Sequence, residues 1–154
     1  MDYIVFEKIF DEIVEEFPTV YTKGIHGIFL SREVKKDPSI SSLYRLGEYR
    51  REPRGLGDHI VIYYGSFMII YPHLSFEQMR EKISHTMLHE VQHHLEHRSG
   101  IDKLGDEDRL FIANYKKQMG IKEKKNIKKD ISDIIKLMFM IITFILIVLF
   151  ITGH

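Results

Sequence analysis

The sequence predicts a small α+β domain over residues 1–115, in which a sheet packs on a long histidine-rich helix, followed by a carboxy-terminal transmembrane helix. Three observations carry this prediction. Runs rich in Tyr, Ile and Val lie between helical stretches in the first 115 residues. One of those helices has five histidines in thirteen positions, and the end of the chain is a long apolar run. The 154 residues suit one compact domain with an appended segment.

Composition excludes several classes of protein. The 22 basic and 22 acidic residues cancel, which argues against a general nucleic-acid binder. The chain has no cysteine, so disulfide scaffolds and thiolate metal sites are excluded, and any metal must be held by imidazole and carboxylate groups. The acidic, amphipathic amino terminus lacks the pattern of a signal peptide, so we expect the domain to stay in the cytoplasm.

The first half of the domain is predicted from apolar spacing and turn residues. A helix is expected over residues 3–17, and "GIHGIFLSREV" (24–34) contains a short strand. The polar stretch "KKDPSISS" (35–42) is expected to be a loop. The β-rich runs "LYRLGEYRR" (43–51) and "HIVIYYGSF" (59–67) form either a hairpin or two neighbouring strands of one sheet.

Two helices complete the predicted domain. Ser75 is a good N-cap, and Gln78 three residues later completes a capping box. The helix that follows should cover residues 76–98 and stop at Ser99-Gly100. Three acids open a further helix, expected from about Asp106 to Lys117.

The apolar run "IIKLMFMIITFILIVLFIT" covers residues 134–152 and contains a single charge, Lys136. As a helix it would span roughly 28 Å, which matches the hydrocarbon core of a bilayer. The lysine-rich linker before it, residues 116–133, favours anionic lipid headgroups and the cytoplasmic side. We therefore expect a single-pass protein of the cell membrane, with membrane lipid as a partner and the soluble domain facing the cytoplasm.

The histidines suggest a metal site on the long helix. Four of them stand at every fourth position: His85, His89, His93 and His97. Neighbours at this spacing share a helix face and can bind one ion, whereas three cannot, because the outer two lie about 12 Å apart along the axis. Glu90 makes H-E-x-x-H with His89 and His93, and Glu96 makes the reversed H-x-x-E-H with His93 and His97. Spacing alone leaves both pairs open.

Residues 27–108 resemble the compact bacterial zincin-like metallopeptidases, a family long catalogued as a domain of unknown function, and within it the longer-insert branch. The segments that match, in order, are "LYRLGEYRR", "HIVIYYGSF", "TMLHEVQHHLEH" and "GDEDRL". The resemblance implies a minimal zincin fold and hydrolysis of a peptide or protein substrate. It also implies one zinc ion on His89 and His93, with Glu90 as the general base.

The resemblance further implies a carboxylate ligand after the long helix turns, where this chain has Asp106, Glu107 and Asp108. Glu107 matches best when the segments are aligned on the following leucine, so it is the predicted third ligand. Asp106 and Asp108, each one residue away, remain alternatives. The insertion "EHRSGIDK" lengthens the path to this cluster. We expect His94 to pack or to contact a group that supports the ligands.

Two functions follow from these residues. The first is a membrane-anchored zinc metallopeptidase in which Glu90 takes the proton of a zinc-activated water, and a peptide adds as a strand to an exposed edge of the sheet. The alternative is a non-catalytic, zinc-stabilised and membrane-tethered interaction or regulatory module. In that case four protein ligands would close the metal site.

Overall fold

The computed structural model of the protein describes residues 1–51 and 57–121. The predicted transmembrane helix, residues 134–152, and most of the predicted linker, residues 116–133, lie outside the described residues. Over the described ranges, no helix has both the length and the apolar character needed to cross a bilayer. The site described below belongs to the compact unit Met1–Tyr115.

The described residues contain helices at both ends and strands between them. In chain order the elements are α1 (Tyr3–Glu16), β1 (Ile25–Ser31), β2 (Lys35–Asp37), β3 (Ile40–Arg45), β4 (Gly47–Arg50), β5 (Asp58–Tyr63), α2 (Tyr64–Ile70), α3 (Phe76–Ser99) and α4 (Lys103–Gln118). The predicted α+β class is confirmed. The predicted first helix and the long histidine-rich helix are also confirmed, to within one residue at their ends.

The main sheet has three strands in the order β1-β5-β4. The central strand β5 runs parallel to β1 and antiparallel to β4. The prediction that the two β-rich runs supply neighbouring strands of one sheet is therefore confirmed for β4 and β5. Among the described residues, β4 pairs with β5 on one side only, and its other edge faces α3 and the cleft described below.

The predicted loop "KKDPSISS" was wrong, because it contains β2 and the start of β3, which pair as an antiparallel hairpin. The buried carboxylate of Asp37 closes the turn by accepting hydrogen bonds from the Ser39 N–H at 2.8 Å and the Ser39 hydroxyl at 2.6 Å. It also pairs with the Arg45 guanidinium at 3.0 Å. Burial raises the pKa of Asp37, but these partners outweigh it and hold the pKa below its ordinary value.

The predicted β-run over residues 59–67 was wrong beyond Tyr63, where β5 ends and α2 begins. Tertiary contacts decide this switch. The buried Ser66 hydroxyl accepts a hydrogen bond from the Lys35 N–H at 2.8 Å, which fixes α2 against the β2–β3 hairpin. Local β propensity is weak enough for such contacts to override it.

The core lies between α1, the main sheet and α3. The buried apolar side chains that form it are Phe6, Ile9, Phe10, Ile13, Ile60, Ile62, Phe67, Met79, Ile83, Met87 and Val91. On α3 these residues recur every four positions, which is one face of a helix. The predicted capping box at Ser75 and Gln78 is present, and Gly100 ends α3 in the left-handed conformation. Both ends of the histidine-bearing helix are thereby fixed.

Candidate metal centre

The helix α3 carries its candidate functional side chains beside the face that packs in the core. Glu90 flanks the core face and is only 7% exposed. His89 lies about 100° around the helix from Glu90. One turn later, His93 lies about 100° around the helix from His94. Both histidines are half-buried and border a cleft of about 820 Å³ between α3, β4 and the start of α4.

His89, His93 and Asp108 converge at the floor of this cleft. Their ligand atoms all lie within 4.8 Å of one another. The His93 Nε2 is 3.1 Å from the Asp108 Oδ2, and the His89 Nε2 is 3.6 Å from the same oxygen. The two imidazole rings are nearly perpendicular, with centroids 4.8 Å apart. In the described residues this is the group of histidines and carboxylates arranged to hold a metal ion.

The donor set fits zinc. Two imidazole nitrogens and one carboxylate oxygen are ligands that zinc takes in catalytic sites, where a fourth position stays open. Ligand distances of about 2.0–2.2 Å in a tetrahedron place ligand atoms about 3.4 Å apart. The separations of 3.1 and 3.6 Å from the Asp108 oxygen to the two nitrogens bracket that value. The three residues therefore need little movement to bind the ion.

The protonation state of His89 also suits a metal. Burial lowers its pKa, and the neighbouring His93 lowers it further, whereas Asp108 acts in the opposite direction. The net pKa lies below the ordinary value for histidine, so the ring is neutral at neutral pH and its contact with Asp108 is not an ion pair. Neutral imidazole is the form that binds metal ions.

Glu107, the predicted third ligand, does not lie in this group. Its side chain is exposed and is not among the residues that line the cleft. Asp106, one alternative, is also exposed and pairs with Arg109 at 2.5 Å. Successive residues on a helix are rotated by about 100°, so only one of three consecutive acids on α4 can face α3. The structure places Asp108, the other alternative, in that position.

The reversed motif has a structural role. The Glu96 carboxylate accepts a hydrogen bond from the Leu104 N–H at 2.8 Å, in the first turn of α4. A second oxygen accepts from the Gln92 amide at 3.2 Å. Glu96 therefore fixes the start of the helix that carries Asp108. His97 borders the cleft near Arg51 and is not part of the metal group.

The Glu90 carboxylate lies next to the metal group and is held by the edge strand β4. Its Oε2 accepts a hydrogen bond from the Tyr49 N–H at 2.8 Å. Burial raises the pKa of Glu90 to about 7, although the Tyr49 N–H opposes this, while the negative charge of Asp108 adds to it. A buried carboxylate with a raised pKa can both accept and release a proton near neutral pH.

Comparison with known proteins agrees with this arrangement. The sequence profile of the zincin-like metallopeptidases matches residues 14–109. The chain belongs to this family. A conserved hypothetical protein from Thermus thermophilus is 32% identical, with a TM-score of 0.55, over 64% of this chain and 98% of that one. No curated protein sequence shows significant similarity. The resemblance inferred from the sequence is thus confirmed.

Sequence reasoning missed the β4 residues that complete the zincin-like site. Gly47 lies against α3, where an added Cβ would be 2.8 Å from the Thr86 Cγ2 and 2.9 Å from both the Cγ and the Oε1 of Glu90. Tyr49 supplies the N–H that holds Glu90. Both stand in "LYRLGEYRR", one of the segments that carry the family resemblance, but no spacing rule connects them to α3.

Gly47→Ala is expected to displace Glu90 and to destabilise the domain. The new methyl group would overlap side-chain atoms close to the α3 backbone, and such overpacking costs about 1–3 kcal/mol. The free energy of unfolding from urea titration and the rate of peptide hydrolysis should both fall. Adding Thr86→Ala removes only the Thr86 contact, so stability should recover in part and hydrolysis should not. Full activity of Gly47→Ala would show that this close approach does not matter for Glu90.

Proposed function

We propose that this zincin-like protein is a zinc-dependent metallopeptidase with one zinc ion bound by His89, His93 and Asp108 and with Glu90 as the general base. One observation carries the proposal: the two histidines of the H-E-x-x-H motif and a carboxylate from another helix converge beside a buried glutamate. The arrangement has three ligands in the described residues, which favours an open fourth position over the closed site of a structural zinc.

Zinc, when bound, supplies a Lewis acid that lowers the pKa of a water molecule and polarises a carbonyl group. The residues of the protein position the reacting groups and transfer the proton. The Glu90 carboxylate, held at its Oε2 by the Tyr49 N–H, accepts the proton of the attacking water and then donates it to the leaving amine. Burial of Glu90 in a cleft wall limits the access of bulk water to this proton between the two transfers.

The edge strand β4 is the surface that supports a peptide as substrate. The Tyr49 N–H points away from β5 towards α3, because it bonds Glu90. Backbone groups alternate in direction along an antiparallel strand, so those of Gly47 face the same open edge. The Tyr49 N–H is occupied by Glu90, so an extended peptide would pair with the remaining backbone groups of this edge, such as those of Gly47, and lie across the cleft beside the metal group. The substrate we propose is therefore an extended peptide segment.

We also propose that the domain is tethered to the cell membrane on its cytoplasmic face. The support comes from the sequence of residues 134–152 and from the lysines of residues 116–133. Fusing a reporter to the amino terminus and measuring protease access in intact and opened cells tests the location. Digestion of the reporter in intact cells would contradict it.

Metal removal tests the peptidase proposal. The purified full-length chain is expected to contain one zinc per molecule, to hydrolyse peptides from a mixed-sequence library, and to lose this activity with a chelator. Added zinc should restore it. Stoichiometric zinc without hydrolysis of any peptide would favour the non-catalytic interaction module. Absence of bound zinc after purification in zinc-containing buffer would contradict both functions.

A further inference from the structure

We propose that Tyr49, anchored by Asp58 and His94, is a positioning residue that sets the place of the Glu90 carboxylate. The network that Tyr49 forms with Asp58 and His94 rests on geometry alone. Its expected effect on kcat rests on the proposed peptidase function. The network assigns a role to the last histidine of the H-E-x-x-H-H stretch, which the zinc site does not use. It also joins α3 to β4 and to the first residue of β5.

The side chain of Tyr49 is tied down at its hydroxyl. The hydroxyl donates a hydrogen bond to the Asp58 Oδ2 at 2.5 Å, and the His94 Nδ1 lies 3.3 Å from the same hydroxyl oxygen. The rings of Tyr49 and His94 meet edge to face, with centroids 5.4 Å apart. Burial, and then the hydrogen bond to Asp58, raise the pKa of Tyr49 above its ordinary value, so the hydroxyl keeps its proton.

His94 is itself fixed from the other side. It is 1% exposed, and its Nε2 lies 3.1 Å from the carbonyl oxygen of Lys23 in the loop between α1 and β1. A carbonyl oxygen only accepts, so the Nε2 carries the hydrogen of this bond and the Nδ1 of the neutral ring is an acceptor. Because the Tyr49 hydroxyl gives its hydrogen to Asp58, His94 holds Tyr49 through the edge-to-face ring contact and not through a second hydrogen bond. The Lys23 carbonyl also accepts from the Arg98 guanidinium one turn further along α3. His94 can therefore not rotate away from Tyr49 without losing a buried hydrogen bond.

The anchoring reaches Glu90 through the backbone of Tyr49. The strand β4 has only four residues and is bonded to the sheet along one edge, so its other edge is positioned by side chains. Tyr49 carries both the N–H that binds Glu90 and the hydroxyl that binds Asp58. A shift of β4 would lengthen the 2.8 Å bond to Glu90 and move the carboxylate relative to the metal group. Misplacement of a catalytic group by about 1 Å is costly to the chemical step.

Tyr49→Phe removes the hydroxyl and keeps the ring and the N–H. We expect hydrogen exchange of the residue 49 amide to accelerate about tenfold, while the amides of β5 stay protected, because the loss is local. In the zinc-loaded protein, kcat should fall about tenfold with little change in KM or zinc content. Tyr64→Phe is the matched control. It removes a hydroxyl that bonds the Met1 carbonyl oxygen at 3.0 Å, outside β4, and should change neither readout.

Conservative and disruptive changes at Asp58 give a second test. Asp58→Asn keeps an acceptor for the Tyr49 hydroxyl and should retain most of kcat, whereas Asp58→Ala should behave like Tyr49→Phe. Unchanged exchange of the residue 49 amide in Tyr49→Phe and Asp58→Ala would overturn the proposal, whatever the activity. Equal acceleration at residues 49 and 60–62 would also overturn it, as a general loss of stability. Failure of the wild type to hydrolyse peptides would count against the peptidase proposal only, since exchange is measured without turnover.

Discussion

Glu90→Gln is expected to keep one zinc per chain and to lower kcat for peptide hydrolysis by about 10²–10⁴-fold, the usual contribution of a general base. Glutamine has nearly the same volume, and its carbonyl oxygen can still accept the hydrogen bond that the Tyr49 N–H gives to Glu90 at 2.8 Å. The substitution therefore removes proton transfer while it leaves the cleft in place. Zinc content by elemental analysis and kcat on a peptide substrate check the two halves of the result.

Glu96→Gln is the matched control, since Glu96 would be the base if the reversed motif bound the metal. Its carboxylate accepts the Leu104 N–H at 2.8 Å, a bond that glutamine also makes. Activity should therefore stay within a few-fold of the wild type. Loss of hydrolysis in Glu96→Gln with normal activity in Glu90→Gln would reverse the assignment of the two glutamates.

Asp108→Ala is expected to weaken zinc binding by more than about 100-fold. Removing a group that only hydrogen-bonds a ligand typically weakens it by about 10–100-fold. The Asp108 Oδ2 lies 3.1 and 3.6 Å from the two histidine nitrogens, so it is the oxygen that completes the donor set. Without it only two imidazoles remain. Competition with a chromophoric chelator measures the zinc affinity, and hydrolysis at limiting zinc should fall in parallel.

Glu107→Ala is the control on the same helix. The Glu107 side chain is exposed and does not border the cleft, so zinc affinity and activity should be unchanged. Both substitutions remove a carboxylate and introduce alanine in the same turn of α4, so their effects on helix propensity are similar in size. Zinc loss in Glu107→Ala with normal binding in Asp108→Ala would restore the ligand assigned from the sequence.

The features that the sequence predicts well depend on contacts between residues close together in the chain. The capping box at Ser75, the glycine stop at Gly100 and the four-residue spacing of the histidines all depend on contacts within one helix. The third ligand depends on the rotational phase of a second helix relative to the first. The alignment on Leu110 selected Glu107, one residue before Asp108, and an error of one residue turns the ligand position by about 100° around the helix. The start of α4 was also misplaced, since the helix begins at Lys103, three residues before the predicted start.

The groups around Glu90 could not be found from spacing, because they come from a strand that is distant in the chain. Gly47 and Tyr49 precede Glu90 by about forty residues, and only the packing of β4 on α3 brings them together. The missed β2–β3 hairpin has a similar cause. The Asp37 carboxylate stabilises its turn through Ser39 and Arg45, and such side-chain hydrogen bonds leave no periodic signal.

The helix α4 buries a single residue, Leu104, and is joined to α3 chiefly by the Glu96 bond to the Leu104 N–H and by the contacts of Asp108 with the two histidines. An element with so little buried apolar surface opens at low free-energy cost. An ion shared by α3 and α4 would stabilise the closed form by linkage, in proportion to the logarithm of metal concentration over its dissociation constant. Zinc would then hold α4 against α3, and the resistance of α4 to proteolysis would increase with the zinc concentration.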